Sequence, residues 1–302
     1  MRIESELEVA GKRLSVSNLD KVLYPKTGFT KGEIIDYYIH ISPVLLPHLR
    51  NHPLTLKRYP NGVDAGFFYE KKCPAHRPPW VNTAKIWSEG NHADINYCLI
   101  NDLPSLVWAA NLADLELHTQ LGRYPKYMSP TAMVFDLDPG LPAGIVQCCE
   151  VAVLLKEILD GQELESFAKT SGSKGLQLYV PLNTPSSFAI TKSFAKSLAE
   201  QLERAHPKLV VSKMSKSLRR GKVFVDWSQN DDHKTTVCVY SLRAREHPTV
   251  STPVTWPEIT TTLKKENPKN LYFEADEVLQ RVRKHGDLFE PVLKLKQRIK
   301  AK

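Results

Sequence analysis

The sequence predicts a mixed α/β fold, because hydrophobic residues in the middle of the chain alternate between strand-like and helix-like spacing. Successive elements are predicted there as a strand at 131–137, a helix at 144–159, strands near 166–170 and 176–180, and a helix at 187–205. With 302 residues, of which 42% are hydrophobic, the chain is long enough for one large domain or two fused lobes. The sequence contains no internal repeat and no long low-complexity linker.

Helix and strand patterns also flank this region. Thr30, followed three residues later by Glu33, is typical of a capping box, and apolar residues from 34 to 45 continue the helix. A strand is expected at 53–59, and a helical stretch from Leu106 gives way near Glu116 to a short run ending at His118. Later in the chain, we expect strands at 222–227 and 234–240 and helices in the last thirty residues, with the basic run at 294–302 as a solvated helix end.

Charge and cysteine content narrow the class of protein. Lys and Arg number 41 against 33 Asp and Glu, and this net charge of +8 favours a polyanionic partner. The N-terminus lacks a signal peptide and no stretch approaches the roughly 20 apolar residues of a membrane span, so we expect a cytoplasmic protein. The odd number of cysteines, without paired C-x-x-C spacing, indicates neither a disulfide framework nor a zinc ribbon. Cys73 and His76 leave an isolated zinc site as a less favoured alternative.

The strongest local signal is an apolar strand that ends in Asp136 and Asp138, followed by Pro139 and Gly140. Alternate side chains of a strand share a face, so both carboxylates should project together while Leu137 points into the core. Two adjacent carboxylates repel one another unless a cation lies between them, and their hard oxygen ligands suit Mg²⁺ or Mn²⁺. A solvated acidic turn is the alternative interpretation for two aspartates alone.

A third acid favours the metal site. Asp226 lies in another strongly β-type run, at 223–227, where a half-buried lone carboxylate needs a partner. If the two strands are neighbours, three carboxylates converge, which is an arrangement that binds two metal ions about 4 Å apart. This arrangement predicts nucleotidyl transfer or nuclease cleavage.

Several segments are candidates for contacts with phosphate or nucleic acid. The Ser171–Gly175 turn could expose backbone N–H groups and Lys174 to an anion, although a simple hairpin turn explains it equally well. Basic residues at 213–222 could guide a nucleic-acid backbone. Arg243 and Arg245 should lie on one face of an extended segment and could contact phosphate or form surface salt bridges. Near the front, charge at 57–58 accompanies an aromatic triplet at 67–69, of which we expect at least one ring to be exposed.

Together these motifs resemble the polymerase domain of bacterial DNA ligase D, in the archaeo-eukaryotic primase superfamily. The resemblance is carried by NLDKVLYP at 18–25, KRYPNG at 57–62, VFDLDPG at 134–140, SGSKG at 171–175 and VFVDWSQN at 223–230. It implies a primase-like catalytic core of mixed β-sheets flanked by helices, in two interlocked lobes. One domain would fill residues 1–302, with an N-terminal lobe at about 1–120, a catalytic lobe at about 121–265 and C-terminal helices at about 266–302.

The resemblance implies a template-directed nucleotidyltransferase, a polymerase that fills gaps and extends 3′ ends in non-homologous end joining. It would use two Mn²⁺ or Mg²⁺ ions and NTP or dNTP substrates, prefer ribonucleotides, associate with the nucleoid, and act with a Ku-type protein and a ligase. The expected catalytic and metal-binding acids are Asp136, Asp138 and Asp226, and His118 would lie near the nucleotide. The expected triphosphate contacts are Ser171, Lys174 and Arg243. The expected DNA contacts are Asn18, Lys21 and Lys31 at the 5′-phosphate, Lys57, Phe68 and Tyr69 at the template, and Arg219 beside the primer terminus.

One departure from the family pattern keeps other functions open. Gln177 stands where the family usually has histidine, so a 5′-phosphate-dependent DNA-end binding module with weakened catalysis is an alternative. A primase that starts strands without a primer is another. Because no ligase or nuclease segment is present, the chain is either a free-standing polymerase or a fragment of a longer protein.

Overall fold

The computed structural model describes residues 4–300, apart from the side chains of Glu4 and Asn91, and divides into two compact units. The first unit runs to Pro125 and adds Thr235–Val250 and Glu274–Gly286. The second unit contains Lys126–Lys234 and Ser251–Phe273 and continues from Asp287. Ala301 and Lys302, at the end of the basic C-terminal run, lie outside the described residues. The lobe boundaries that the sequence suggested near residues 120 and 265 stay a prediction.

The described residues form strands and helices in a mixed α/β arrangement, as the sequence predicted. The strands are β1 Glu4–Val9, β2 Lys12–Ser17, β3 Val22–Tyr24, β4 Phe29–Thr30, β5 Leu54–Arg58, β6 Phe68–Glu70, β7 Asn82–Ser88, β8 Ala93–Leu99, β9 Asp114–Thr119, β10 Gly122–Arg123, β11 Lys126–Pro130, β12 Ala132–Pro139, β13 Phe167–Thr170, β14 Leu176–Pro181, β15 Val210–Val211, β16 Val223–Asp226, β17 Thr236–Val237 and β18 Pro253–Val254. The α-helices are α1 Lys31–Leu49, α2 Leu103–Asn111, α3 Ile145–Asp160, α4 Phe188–Ala205, α5 Trp256–Lys265, α6 Ala275–His285 and α7 Pro291–Lys294.

In the first unit, helix α1 packs on α2 and α6, and an antiparallel sheet has the order β17-β9-β5-β8-β7, with β6 paired to β5. Helix α1 begins where the sequence predicted, because Thr30 and Glu33 form the reciprocal capping box. Its inner face buries Ile34, Tyr38 and Leu45 completely. The hydroxyl of Tyr38 donates a hydrogen bond to the carbonyl oxygen of Leu115 at 2.8 Å, which joins the helix to strand β9.

In the second unit, the sheet order is β15-β16-β12-β14-β13-β18. All of these pairs are antiparallel except β15 with β16. Helices α3 and α4 pack on the strands through a fully buried apolar cluster that includes Phe135, Leu137, Cys148, Leu155 and Ala199. Because this core packs on the face of β12 that carries Phe135 and Leu137, the two aspartates project from the opposite face of the sheet.

Three local expectations from the sequence are wrong. The strand expected at 234–240 is only Thr236–Val237, because the chain turns at Tyr240, whose φ is +63°, and the N–H of Ser241 bonds to the carbonyl of Cys238. Arg243 and Arg245 do not lie on an extended segment, since the N–H of Arg245 bonds back to the carbonyl of Arg243.

The third wrong expectation is that the cysteines form no disulfide. Cys73 and Cys98 form a disulfide across 25 residues of sequence, so Cys73 is not a zinc ligand beside His76. The spacing of the cysteines in the sequence did not indicate this disulfide, because the pairing depends on the loop at Cys73 lying beside strand β8. The N–H of Cys73 bonds there to the carbonyl of Asn96. Within residues 4–300, none of the helices is both long and apolar enough to cross a membrane.

Candidate active site

The three predicted acids lie on neighbouring strands of the second unit. Strand β12 pairs with β16 in a register that places Asp136 directly opposite Asp226. Asp138 follows two residues along the same strand and so shares the face of Asp136, while the intervening Leu137 is fully buried. Directly paired residues have Cβ atoms about 5 Å apart on one face of the sheet, so the expectation that the two strands are neighbours is confirmed.

The chain approaches this strand closely at two glycines. A Cβ atom at Gly140 would lie 2.0 Å from the carbonyl oxygen of Arg219, and one at Gly175 would lie 2.1 Å from that of Leu137. Neither distance leaves room for any side chain, so the two loops reach the acidic end of β12 only because glycine occupies both positions.

Asp226 is held by its own segment. Its Oδ1 atom accepts hydrogen bonds from the Ser228 N–H at 2.9 Å and the Ser228 hydroxyl at 2.6 Å, and its Oδ2 accepts one from Gln229 at 2.9 Å. These donors orient the carboxylate and occupy both lone pairs of Oδ1, while Oδ2 retains one lone pair. Asn230 fixes the same segment to β12, because its side chain exchanges hydrogen bonds with both backbone groups of Val134.

The electrostatics of Asp136 fit a cation site. Desolvation and the negative charges of Asp138 and Asp226 raise the pKa of Asp136 to about 7, against the opposing effects of Gln177 and Lys169. The mutual repulsion that keeps a proton on these carboxylates is also relieved when a cation binds between them, so the cluster favours cation binding. Oxygen-only ligands on two adjacent strands suit Mg²⁺ or Mn²⁺, and Asp136, Asp138 and Asp226 would hold them.

This raised pKa predicts that the stability of the metal-free protein depends on pH. Between the ordinary carboxyl pKa of about 4 and about 7, the unfolded chain has lost the Asp136 proton while the folded protein still binds it. The free energy of unfolding should therefore fall, by about 2–4 kcal/mol, as the pH rises through this interval. We expect Asp136→Asn to flatten that slope in urea denaturation with EDTA. An identical slope in the variant would contradict the assignment.

Lys169 is a functional candidate that the sequence did not reveal. It is fully buried on β13, and its ammonium donates hydrogen bonds to Oε1 of Gln177 at 2.6 Å and to the Ser251 hydroxyl at 2.7 Å. Gln177 lies directly opposite Asp136 in the β12–β14 pairing, on the same face of the sheet. A lysine within a strand pattern is ordinarily read as an exposed residue, so only the fold shows its burial.

The predicted phosphate-binding turn joins strands β13 and β14. Ser171 organises it, because its hydroxyl oxygen accepts hydrogen bonds from the N–H groups of Ser173 at 3.2 Å and Gly175 at 3.1 Å. Lys174 is exposed, and its ammonium reaches the carbonyl oxygen of Pro139 at 3.4 Å. The turn therefore presents a lysine beside the strand end that carries Asp136 and Asp138.

Arg219 lies within the basic segment at 213–222. Its guanidinium carbon lies 3.7 Å from the centre of the Phe224 ring and its Nη2 donates to the carbonyl of Met214 at 2.8 Å. The neighbouring basic side chains Lys213, Lys216 and Arg220 are exposed. Because Phe224 is opposite Asp138 in the sheet, this segment is anchored next to the acids.

The first unit contains a second cluster, around the buried carboxylate of Glu116. This carboxylate lies 3.0 Å from the ammonium of Lys57, 2.9 Å from Nε2 of His118 and 3.3 Å from Nε of Arg243. The Tyr59 hydroxyl donates to it as well, at 3.3 Å. One anion thus gathers three residues that the sequence assigned separately to the nucleotide and the template.

Protonation in this cluster follows from the same contacts. Desolvation opposes ionisation of Glu116, but the hydrogen bond from His118 and the charges of Arg243 and Lys57 hold its pKa far below the ordinary value. Desolvation lowers the pKa of His118, and its hydrogen bond to Glu116 opposes that shift. Glu116 and His118 are two residues apart on β9, and this alternation was the signal by which the sequence could have revealed the pair.

The aromatic triplet is exposed, as predicted, but its members face different ways. Phe67, Phe68 and Tyr69 are 51%, 44% and 57% exposed. Tyr69 makes edge contacts with Phe67 and with His118, whereas the guanidinium of Arg58 lies over Phe68. Phe68 and Tyr69 are consecutive on strand β6, so their rings point to opposite faces and Phe67 is the nearer neighbour of Tyr69.

The three residues predicted to read a 5′-phosphate lie together at the start of α1. Asn18 is exposed with a φ of +53°, and its carbonyl oxygen accepts a hydrogen bond from the N–H of Lys21. The ammonium of Lys31, the first residue of the helix, donates to the Ser17 carbonyl at 2.6 Å. Lys21 is exposed and donates to the carbonyl oxygen of Pro60 at 2.5 Å. Lys31 is buried, so the exposed Lys21 and the helix N-terminus are what make this surface favour anions.

Comparison with known proteins supports one family. Residues 30–289 match the family model described as the LigD primase-polymerase domain. The chain is 44% identical over 283 residues to the multifunctional non-homologous end joining protein LigD of Mycolicibacterium smegmatis. This match covers 93% of this chain and 36% of that protein. It is 33% identical over 276 residues to the bifunctional LigD of Bacillus subtilis, covering 91% of this chain and 43% of that protein. The chain thus spans well under half the length of these relatives.

The fold is also similar to a solved structure. The polymerase domain from Mycobacterium tuberculosis ligase D, in complex with DNA, superposes with a TM-score of 0.86 and is 43% identical in sequence. The match covers 93% of this chain and 98% of that chain. This similarity confirms the predicted primase-polymerase fold.

Proposed function

The chain belongs to the family of LigD primase-polymerase domains, and on that premise we propose that it adds nucleotides to 3′ ends of DNA during non-homologous end joining. The observation that carries the proposal is the strand register that sets Asp136 opposite Asp226, with Asp138 on the same face. Three convergent carboxylates, together with a turn that presents Lys174, are suited to phosphoryl transfer from a nucleoside triphosphate.

Each residue has a definite part in this reaction. Asp136, Asp138 and Asp226 would hold two divalent cations, which when bound activate the attacking hydroxyl and neutralise the triphosphate. Lys174, presented by the Ser171 turn, would bind phosphate oxygens and stabilise the departing pyrophosphate. Arg243 and His118 contact the nucleotide from positions that Glu116 fixes. The protein mainly supplies position and charge.

The substrate and partners follow from family membership and from the exposed groups. Exposed rings at 67–69 suit the unpaired bases of a template strand, and Lys57 lies 4.3 Å from the centre of the Phe67 ring. Mn²⁺ as the preferred cation, ribonucleotides as preferred substrates, and a Ku-type protein and a ligase as partners rest on the resemblance to LigD proteins. The natural substrate would be a DNA end with a gap or overhang and a 5′-phosphate.

A gap-filling assay tests the proposal. A primer–template with a recessed, 5′-phosphorylated gap should be extended in the presence of Mn²⁺ and ribonucleotides. No extension with either Mn²⁺ or Mg²⁺ would overturn the assignment and leave a DNA-end binding module. Dinucleotide synthesis on bare single-stranded template would instead indicate a primase that starts strands.

Removal of the 5′-phosphate from the gapped substrate should weaken binding about tenfold, because a charge-assisted contact is worth about 1.5–3 kcal/mol. Lys21→Ala should bind both substrates with nearly equal affinity, since it lacks one ligand of the phosphate. Fluorescence anisotropy at fixed salt measures the dissociation constants. Lys12→Ala, at an exposed lysine on β2, is the matched control and should keep the discrimination. Equal affinities for both substrates in the unsubstituted protein would exclude this phosphate site.

A further inference from the structure

Lys169 and Gln177 form a buried pair behind the carboxylates. The lysine side chain is completely removed from solvent, and both acceptors of its ammonium described above, Gln177 Oε1 and the Ser251 hydroxyl, are uncharged. The Ser251 hydroxyl in turn donates to the carbonyl of Thr170 at 2.9 Å, so it offers its lone pairs to the lysine. A buried cation is costly unless it is hydrogen-bonded, and this geometry therefore holds the ammonium in one place.

The fixed ammonium determines which way the Gln177 amide points. An ammonium has only donors, so the amide turns its oxygen towards Lys169, at 2.6 Å. The amide NH₂ then lies on the opposite side of the group, towards the paired strand. Gln177 is directly opposite Asp136 in the β12–β14 pairing, so this NH₂ is the group that faces Asp136, and it can only donate to a carboxylate oxygen.

We propose that Gln177, locked by Lys169, is a positioning residue that orients the Asp136 carboxylate for divalent cations. The inference rests on the proposed function, since it concerns the same metal site. Binding one Asp136 oxygen to the amide leaves the other oxygen turned to the neighbouring acids. Hydrogen bonds of this kind orient metal ligands, and their loss commonly lowers metal affinity 10–100-fold.

Direct measurement of Mn²⁺ binding tests the inference without using activity. The electron paramagnetic resonance signal of free Mn²⁺ gives the dissociation constant. Gln177→Leu, which removes the amide without changing charge, should weaken binding about tenfold. Gln177→His should stay within about threefold of the unsubstituted protein, since it restores an acceptor and a donor. Gln162→Leu, outside the metal site, is the matched control and should bind normally.

A double-mutant cycle tests whether Lys169 fixes the orientation of the Gln177 amide. In a Lys169→Met background the amide is no longer fixed, so adding Gln177→Leu should weaken Mn²⁺ binding less than about threefold. In a Lys169→Arg background, which keeps the donor, the same substitution should still cost about tenfold. Equal losses in the methionine background and in the unsubstituted protein would overturn the coupling. If the methionine variant fails to fold, the leucine and histidine variants at 177 still decide whether this residue positions Asp136.

The outcomes separate this inference from the proposed function. A protein that binds no Mn²⁺ in any form contradicts the metal site, and both proposals fall. A protein that binds Mn²⁺ and loses it in Asp136→Ala, but binds equally well as Gln177→Leu, overturns the positioning inference alone. Loss of binding in Gln177→Leu together with retention in Gln177→His supports it.

Discussion

Asp226→Asn is expected to slow nucleotide incorporation about a thousandfold or more, with little change in folding stability. The substitution removes one of three charges that would hold the cations, while Oδ1 keeps its two hydrogen bonds from Ser228. Oδ2 is replaced by an NH₂ group, which can donate a hydrogen bond to the side-chain oxygen of Gln229 if that amide turns over. Relief of repulsion with Asp136 further offsets any loss of stability.

Single-turnover incorporation on a gapped primer–template, with saturating Mn²⁺, measures this effect, and thermal unfolding checks the fold. Asp232→Asn is the matched control, because it makes the same change on a half-exposed acid a few residues along the chain. The control should retain the full rate. An Asp226→Asn enzyme within about tenfold of the unsubstituted protein would mean that this carboxylate does not hold a catalytic cation.

Glu116→Gln is expected to destabilise the first unit and to weaken nucleotide binding at the same time. The carboxylate is almost completely buried and neutralises Lys57 and Arg243 while it accepts from His118. Its loss leaves buried cations uncompensated, which typically costs about 3–5 kcal/mol. His118 and Arg243 would also lose the contact that fixes their positions, so the KM for the nucleotide should rise at least about tenfold.

Urea denaturation and steady-state kinetics measure the two effects. Glu70→Gln is the matched control on the same sheet, since Glu70 pairs with Arg58 at 2.7 Å but is partly exposed, and its loss should cost about 1 kcal/mol. The pH dependence should differ as well. The depressed pKa of Glu116 contributes stability that is present above the ordinary carboxyl pKa and is lost as the pH falls below it. Glu116→Gln should lack that acid-dependent loss, and equal stabilities of the two variants would contradict the central position of Glu116.

Much of the site was predictable because it follows from strand periodicity. The alternation around Leu137 predicted that Asp136 and Asp138 share a face, and the β-type run around Asp226 predicted a second strand, whose pairing with the first only the fold shows. The capping box of α1 was equally local, since Thr30 and Glu33 are three residues apart. In each case the interacting groups are close in sequence or repeat with one period.

The missed features depend on contacts between distant residues. Lys169 is 82 residues from Ser251 and its burial arises only when β13 pairs with both β14 and β18. Arg243 contacts Glu116 from a turn. This turn follows Tyr240, whose left-handed backbone conformation lies where the sequence predicted the end of a strand. Phe68 and Tyr69 looked equivalent as neighbouring aromatic residues, but the pairing of β6 with β5 separates their faces. Periodicity carries no information about such long-range partners.

The close approach at Gly140 and Gly175 limits how this protein can be redesigned. Because even a methyl group at either position would overlap a carbonyl oxygen, neither position offers a starting point for altering substrate choice. Lys213, Lys216 and Arg220 are exposed on the adjoining segment, so libraries that vary only those positions leave the acid-bearing strand undisturbed. Directed evolution of this scaffold should therefore accumulate its changes in that outer segment, while both glycines stay invariant.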